Sequence, residues 1–255
     1  MPNKALGQHW LKDRLILEAI ADCADLKPTD TVLEIGPGLG TLTSVLVSRA
    51  EQVIAVEFDE ILASKLSGQF PGKHLTVHNE DILTFNPDEL PHVYKVVANV
   101  PYYITSKIVQ KFSTCTNMPE SMTILVQIEV AERIVAEPGD MSILAVSAQL
   151  FWETSLGPIV GAEWFTPPPK VDSRVVILKR RATPIVDPAD QKKFFRVVKA
   201  GFSERRKKLR SALSGGLAME KTEVDLLLEQ ANVSPEARAQ ELSIEQWQQI
   251  AEALV

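Results

Sequence analysis

A short strand that runs straight into a glycine-rich turn constrains this chain more than any other feature. Thr31-Val32-Leu33-Glu34-Ile35 is mostly apolar and β-branched, and it stops at Gly36-Pro37-Gly38-Leu39-Gly40. Residues 41–49 then take up apolar spacing with a helical period. A buried strand feeding a helix through glycines commits the chain to layers of sheet and helix. Glycine lets a ligand approach the backbone, and the start of a helix offers unpaired N–H groups. The turn therefore suits an adenosine-containing cofactor. The dinucleotide pattern G-x-G-x-x-G requires a third glycine at position 41. Thr41 stands there and the glycine falls at 40, which disfavours NAD and an oxidoreductase.

The alternation continues. Strands are expected over 52–57, 75–79, 93–98 and 121–127, and helices over 11–26, 60–69, 106–112 and 128–135. Residues 142–151 fit helix or strand equally, and 152–160 and 173–180 read as late strands. This order implies a parallel sheet with helices on both faces. Beyond Pro184 only helical segments follow, over 191–200, 205–213, 221–230 and 244–254, the last capped by Ser243. Residues 182–188 are the expected boundary, giving domains 1–183 and 184–255.

Acidic residues recur where strands end. Glu57 follows the glycine turn by about twenty residues, where a carboxylate accepts from both hydroxyls of a ribose. Asp81 follows the next strand and is placed to accept from an adenine amino group. Glu34 either shapes the turn or approaches the far end of the cofactor. After the fourth strand comes Asn99-Val100-Pro101-Tyr102. It sets an amide oxygen, a stiff backbone lacking one N–H and an aromatic face side by side. An exocyclic amine on adenine is a weak nucleophile, because its lone pair is delocalised into the ring. Acceptors at Asn99 and the Val100 carbonyl favour a pyramidal nitrogen, and Tyr102 offers a stacking surface for the base. Phe165-Thr166-Pro167-Pro168-Pro169-Lys170 is a second stiff segment, with Phe165 as the opposite wall of a base pocket and Lys170 near a phosphate.

Charge is unevenly spread. The chain carries a net charge of −6, yet Lys179 to Arg210 holds 12 Lys/Arg against 3 Asp/Glu, and the remainder 15 against 30. A basic patch on an acidic body is what a phosphate backbone meets. Arg205, Arg206, Lys207, Lys208 and Arg210 form its densest part. The two cysteines, Cys23 and Cys115, are far apart and the histidines number four, so no metal site is expected. With no secretory or membrane-spanning stretch, the chain reads as a cytoplasmic monomer.

These segments together resemble the ribosomal RNA adenine N6-methyltransferase superfamily, and within it the bacterial small-subunit rRNA adenine dimethyltransferases. The resemblance rests on Leu6-Gly7-Gln8-His9-Trp10-Leu11, the Glu34–Gly40 turn, Glu57, Asp81 and Asn99–Tyr102. It continues through Val126–Ala131, Phe165–Ser173 and Phe202–Leu209. It implies a Rossmann-like class I methyltransferase domain with a small all-α C-terminal domain, and S-adenosyl-L-methionine as cofactor. It implies transfer of two methyls to each of two adjacent adenosines near the 3′ end of small-subunit rRNA, within a pre-ribosomal particle. It sets His9, Leu11, Gly36, Gly38, Glu57, Asp81 and Asn99 beside the cofactor. Tyr102 and Phe165 would then sandwich the base, and Lys170, the basic run and the helical domain would contact rRNA. His9-Trp10 departs from the usual Asn-Phe, Ile128 from a usual Lys, and Ser211 from a usual Asn. The rival readings are the sister group acting on large-subunit rRNA and a non-enzymatic assembly or transcription factor that keeps the fold.

Overall fold

The computed structural model describes residues 8–101, 104–204 and 206–254. Two compact units arise from the chain: one from Met1–Glu132 with Glu153–Arg180, the other from Arg133–Trp152 with Arg181–Val255.

The first unit is built on a seven-stranded sheet. Its strands are β2 (Thr31–Ile35), β3 (Gln52–Glu57), β4 (Leu75–Asn79), β5 (Lys95–Asn99), β6 (Ser121–Gln127), β7 (Trp152–Val160) and β9 (Ser173–Arg180), in the order β4-β3-β2-β5-β6-β9-β7. Neighbours from β4 to β6 pair parallel, and β9 pairs antiparallel with β6. The expected parallel sheet is thus a mixed one, because the late strands lack an intervening crossover helix in this unit. The order reverses between β2 and β5, so their carboxyl ends diverge into a crevice where open α/β sheets take ligands. At the opposite end of β5, Lys95 is nearly buried and held at 2.8 Å by Asp30 and 2.6 Å by the Asp25 carbonyl.

Helices α1 (Arg14–Cys23), α2 (Thr43–Leu46), α3 (Glu60–Ser67), α4 (Thr105–Thr114) and α5 (Ile128–Ile134) follow strands or the N-terminal segment. The 11–26 helix begins later than periodicity suggests. Trp10–Leu11 is instead a strand, β1, paired antiparallel with β8 (Phe165–Thr166), and Asp13 caps α1 by accepting from Ile16 N–H at 3.0 Å. A two-residue strand has no periodicity to read. The helix expected over 41–49 shrinks to the single turn α2, flanked by turns.

The second unit is helical. Residues 142–151 form α6 (Ile143–Gln149), capped by the Ser142 hydroxyl on Ala145 N–H. With α7 (Gln191–Gly201), α8 (Leu209–Leu217), α9 (Lys221–Gln230) and α10 (Ile244–Ala253) it encloses one apolar core. Met141, Ala145, Val146 and Leu150 share that core with Phe194, Val198 and Trp247. This is why residues 133–152 group with the second unit rather than with 1–183. The helix expected over 205–213 also shifts. Residues 206–208 lie ahead of α8 and form a connection, so of the described basic run only Arg210 stands on the helix.

Among the described residues no helix is long and apolar enough to cross a membrane. Gly201 ends α7 against the fully buried Trp247. A Cβ there would lie 2.3 Å from Cη2 and 2.8 Å from Cζ3 of the indole. Gly201→Ala gains about 1 kcal/mol of helix propensity at most, whereas overpacking a closed core costs about 1–3 kcal/mol or more. The clash wins, and the urea midpoint of the variant is expected to fall with its m-value unchanged.

Candidate active site

The carboxyl ends of β2, β3, β4 and β5 open onto one cavity of about 240 Å³. Its wall begins at the glycine turn. Gly36 and Gly38 have φ of +67° and +57°, conformations that cost a side-chain-bearing residue. At Gly36 the backbone conformation alone asks for glycine, since a Cβ there would make ordinary van der Waals contact with Val100 Cγ1 at 3.4 Å and the Asn99 carbonyl at 3.8 Å. The glycine turn and the Asn99–Pro101 turn thus lie side by side on the cavity wall.

Glu57 fixes the turn. Its side chain is buried, and Oε2 accepts from Gly38 N–H at 2.9 Å while Oε1 accepts from Asp59 N–H at 2.8 Å. Burial leaves its pKa raised, and those backbone N–H groups offset only part of the rise. Each oxygen retains acceptor capacity beyond its one backbone donor, which is what a vicinal diol requires. Asp59 in turn caps α3 through Ile61 and Leu62 N–H. Asp81 Oδ1 accepts from Leu83 N–H at 2.9 Å, so this residue caps its own loop and also lines the cavity.

The N-terminal segment forms another wall. His9, Leu11 and Trp10 line the cavity. His9 Nδ1 donates to the Pro167 carbonyl at 2.7 Å, which ties this segment to the proline-rich loop. Thr41, where the dinucleotide pattern has glycine, donates its hydroxyl to the Leu11 carbonyl at 2.9 Å. That contact gives a physical use for the departure.

The structure therefore brings together His9, Leu11, Gly36, Gly38, Glu57, Asp81 and Asn99 around one cavity. It does not bring Phe165 there. Phe165 is buried in the apolar cluster with Leu11 and Leu17, opposite Leu11 in the β1–β8 pair, and its expected role as an open wall is not met in this arrangement. Neighbouring Trp164 is 48% exposed instead. Lys170 is exposed on its loop. Tyr102 and Arg205 lie outside the described residues. Arg206 is exposed, but the other members of the basic run are engaged. Lys207 pairs with Glu204 at 2.5 Å, Lys208 with Glu236, and Arg210 with Asp225 at 2.5 Å.

Sequence reasoning missed Phe58, Ile82 and Lys107, which also line the cavity. Phe58 is 62% exposed directly after Glu57. A large aromatic left open beside a strand-end carboxylate was the available signal. Lys107 is a cation in the first turn of α4, just past the Asn99 turn.

Glu34 does not line the cavity. It is fully buried beneath it, and neither carboxyl oxygen finds a partner at hydrogen-bond geometry among the described residues. Burial raises its pKa from 4.5 to about 8; Thr43, which approaches it, offsets part of this, and the Glu57 carboxylate adds to it. Glu34 thus shapes the turn as a neutral acid at pH 7. Between pH 4.5 and about 8 the folded protein holds a proton that the unfolded chain has released, so stability falls as pH rises through that window. The melting temperature is expected to decline from pH 5 to pH 8, and Glu34→Gln to flatten that decline. An unchanged pH profile in the variant rejects this assignment.

Comparison with known proteins follows the same lines as the geometry. The family model for ribosomal RNA adenine dimethylase matches residues 2–255. Ribosomal RNA small subunit methyltransferase A of Dehalococcoides mccartyi is 44% identical over 97% of this chain and 87% of that protein. The protein of the same name from Desulfitobacterium hafniense is 40% identical over 99% and 92%. Among solved structures, the 23S rRNA methyltransferase ErmE superposes with a TM-score of 0.79 at 32% identity, covering 96% of this chain and 99% of that one. A dimethyladenosine transferase from Plasmodium falciparum superposes with a TM-score of 0.82 at 26% identity, covering 95% and 96%.

Proposed function

This chain belongs to the ribosomal RNA adenine dimethylase family, and we propose that it dimethylates the N6 amino groups of two adjacent adenosines near the 3′ end of small-subunit rRNA. The donor in this reading is S-adenosyl-L-methionine and the substrate a small-subunit particle under assembly. One observation carries the reading: a single cavity is lined by the glycine turn, two strand-end carboxylates and the Asn99–Pro101 turn. The relatives named for the small subunit, at 38–44% identity over nearly the whole chain, favour that substrate over large-subunit rRNA. ErmE, named for 23S rRNA, is 32% identical.

The residues present fit the donor. Gly36 and Gly38 leave the backbone open to it, Glu57 has acceptor capacity for a ribose diol, and Asp81 for an amino group. When bound, the donor supplies an electrophilic methyl on a positively charged sulfur. The protein then has one main task, to hold the adenine amine in line with that methyl. The Asn99 amide oxygen and the Val100 carbonyl accept the two N–H groups, which draws the nitrogen out of conjugation with the ring. Pro101 stiffens the turn. Tyr102 stacks on the base in this reading. No strong base is needed before transfer, because the nitrogen becomes cationic and acidic as its bond to the methyl forms and the methyl–sulfur bond breaks, and its surplus proton then passes to solvent; alignment supplies most of the rate. Lys170 and Arg206 are cations left open for the RNA backbone.

The decisive test incubates the protein with labelled donor and undermethylated small subunits, large subunits or free rRNA, and maps the modified bases. Label on adenosines outside the small-subunit 3′ end would overturn the substrate. Asn99→Ala is expected to lower kcat roughly 100-fold or more, as for loss of one transition-state hydrogen-bond partner, with donor affinity by calorimetry nearly unchanged. Turnover at the parent rate would remove Asn99 from the chemistry.

A further inference from the structure

Helix α7 has two faces of opposite character. Phe194, Val197 and Val198 point into the core of the helical unit and are fully buried. The other face presents Lys192, Arg196 and Lys199, all exposed. The spacing of four and then three residues aligns them in one stripe about 10 Å long at 1.5 Å per residue. Lys193 flanks the stripe, half-buried. None of the three makes an ion pair or side-chain hydrogen bond among the described residues.

This placement works against the helix itself. Like charges at i,i+4 and i,i+3 repel, and Lys192 and Lys193 sit in the first turn, where the helix dipole already carries positive charge. The whole of Gln191–Gly201 contains no acidic residue. A helix surface that served only solubility would mix both signs. The contrast with the following basic run is sharp, since Lys207, Lys208 and Arg210 each have a carboxylate. Overall the helical unit holds 13 Lys/Arg and 13 Asp/Glu, so net charge does not create the stripe. It is a local concentration of cations that the fold leaves uncompensated.

We propose that the Lys192–Arg196–Lys199 stripe of α7 is an RNA-binding surface that takes consecutive phosphates of one rRNA strand. The inference rests on the rRNA-modifying function proposed above. Phosphate contact would offset the repulsion within the stripe by releasing condensed counterions from the RNA. Such contacts fix register and orientation and leave the choice of base to the cavity.

The test measures binding to undermethylated small subunits across a salt series. It compares the parent with Lys192→Gln/Arg196→Gln/Lys199→Gln, and with a variant carrying Lys192→Arg and Lys199→Arg. Loss of three phosphate contacts should reduce the slope of log K against log salt by about 2 to 3. The arginine variant should keep the parent slope. Calorimetric donor affinity should be unchanged in both; the melting temperature should hold in the arginine variant and hold or rise slightly in the glutamine variant, where the repulsion along α7 is relieved. Equal slopes for the parent and the glutamine variant would overturn the stripe while leaving the function intact. Failure of the parent to methylate rRNA would overturn the function first, a result read independently of the slopes. Arg196→Gln alone should give roughly a third of the slope change, which keeps the test open if the triple variant folds poorly.

Discussion

The carboxylate of Glu57 is the contact on which the cavity depends. It is buried, yet both oxygens are held by backbone N–H groups from two different loops, Gly38 after β2 and Asp59 before α3. A buried anion is costly unless hydrogen-bonded. Meeting that demand locks the glycine turn to the start of the next helix. The same two oxygens keep acceptor capacity on the cavity wall. Burial pushes Glu34, one strand away, well above the usual carboxylate range, and the Glu57 carboxylate adds to that rise.

The second constraint is the approach of two turns. Gly36 lies within van der Waals reach of Val100, so the glycine turn and the Asn99–Pro101 turn neighbour each other on one cavity wall. Thr41 and His9 secure the third wall by bonding to the Leu11 and Pro167 carbonyls. In the helical unit the constraint is different. Its core is apolar throughout, and its cations divide into those paired with carboxylates and those left open.

Most of the sheet was legible. β2, β3, β4, β6, β7 and β9 have the expected bounds; for the inner strands β2, β3 and β6 the reason is that a strand buried on both faces is apolar along its length, whereas the edge strands β4 and β7 are marked by β-branched residues between turns. The helix at 143–149 was ambiguous, since a short apolar segment suits either structure until its neighbours are known. The shift of α8 away from 205–208 has a clear cause: four adjacent cations offer no buried face. Phe165, expected as one wall of a base pocket, is buried opposite Leu11 in the β1–β8 pair, a pairing that two-residue strands do not announce in the sequence.

The sequence by itself determined the layered fold, the glycine turn, and the placement of Glu57, Asp81 and Asn99 at or just past strand ends, because these follow from apolar runs and the residues that stop them. Only the tertiary structure decided that these residues share one cavity and that Phe165 joins the core. It also decided which cations are neutralised. Glu236 and Asp225 reach Lys208 and Arg210 only after the helices fold together, while Glu204 lies just three residues from Lys207; no acid comes within ion-pair range of Lys192, Arg196 or Lys199 among the described residues. Charge count is a property of composition. Free charge depends on distances between residues far apart in the chain, which packing alone sets.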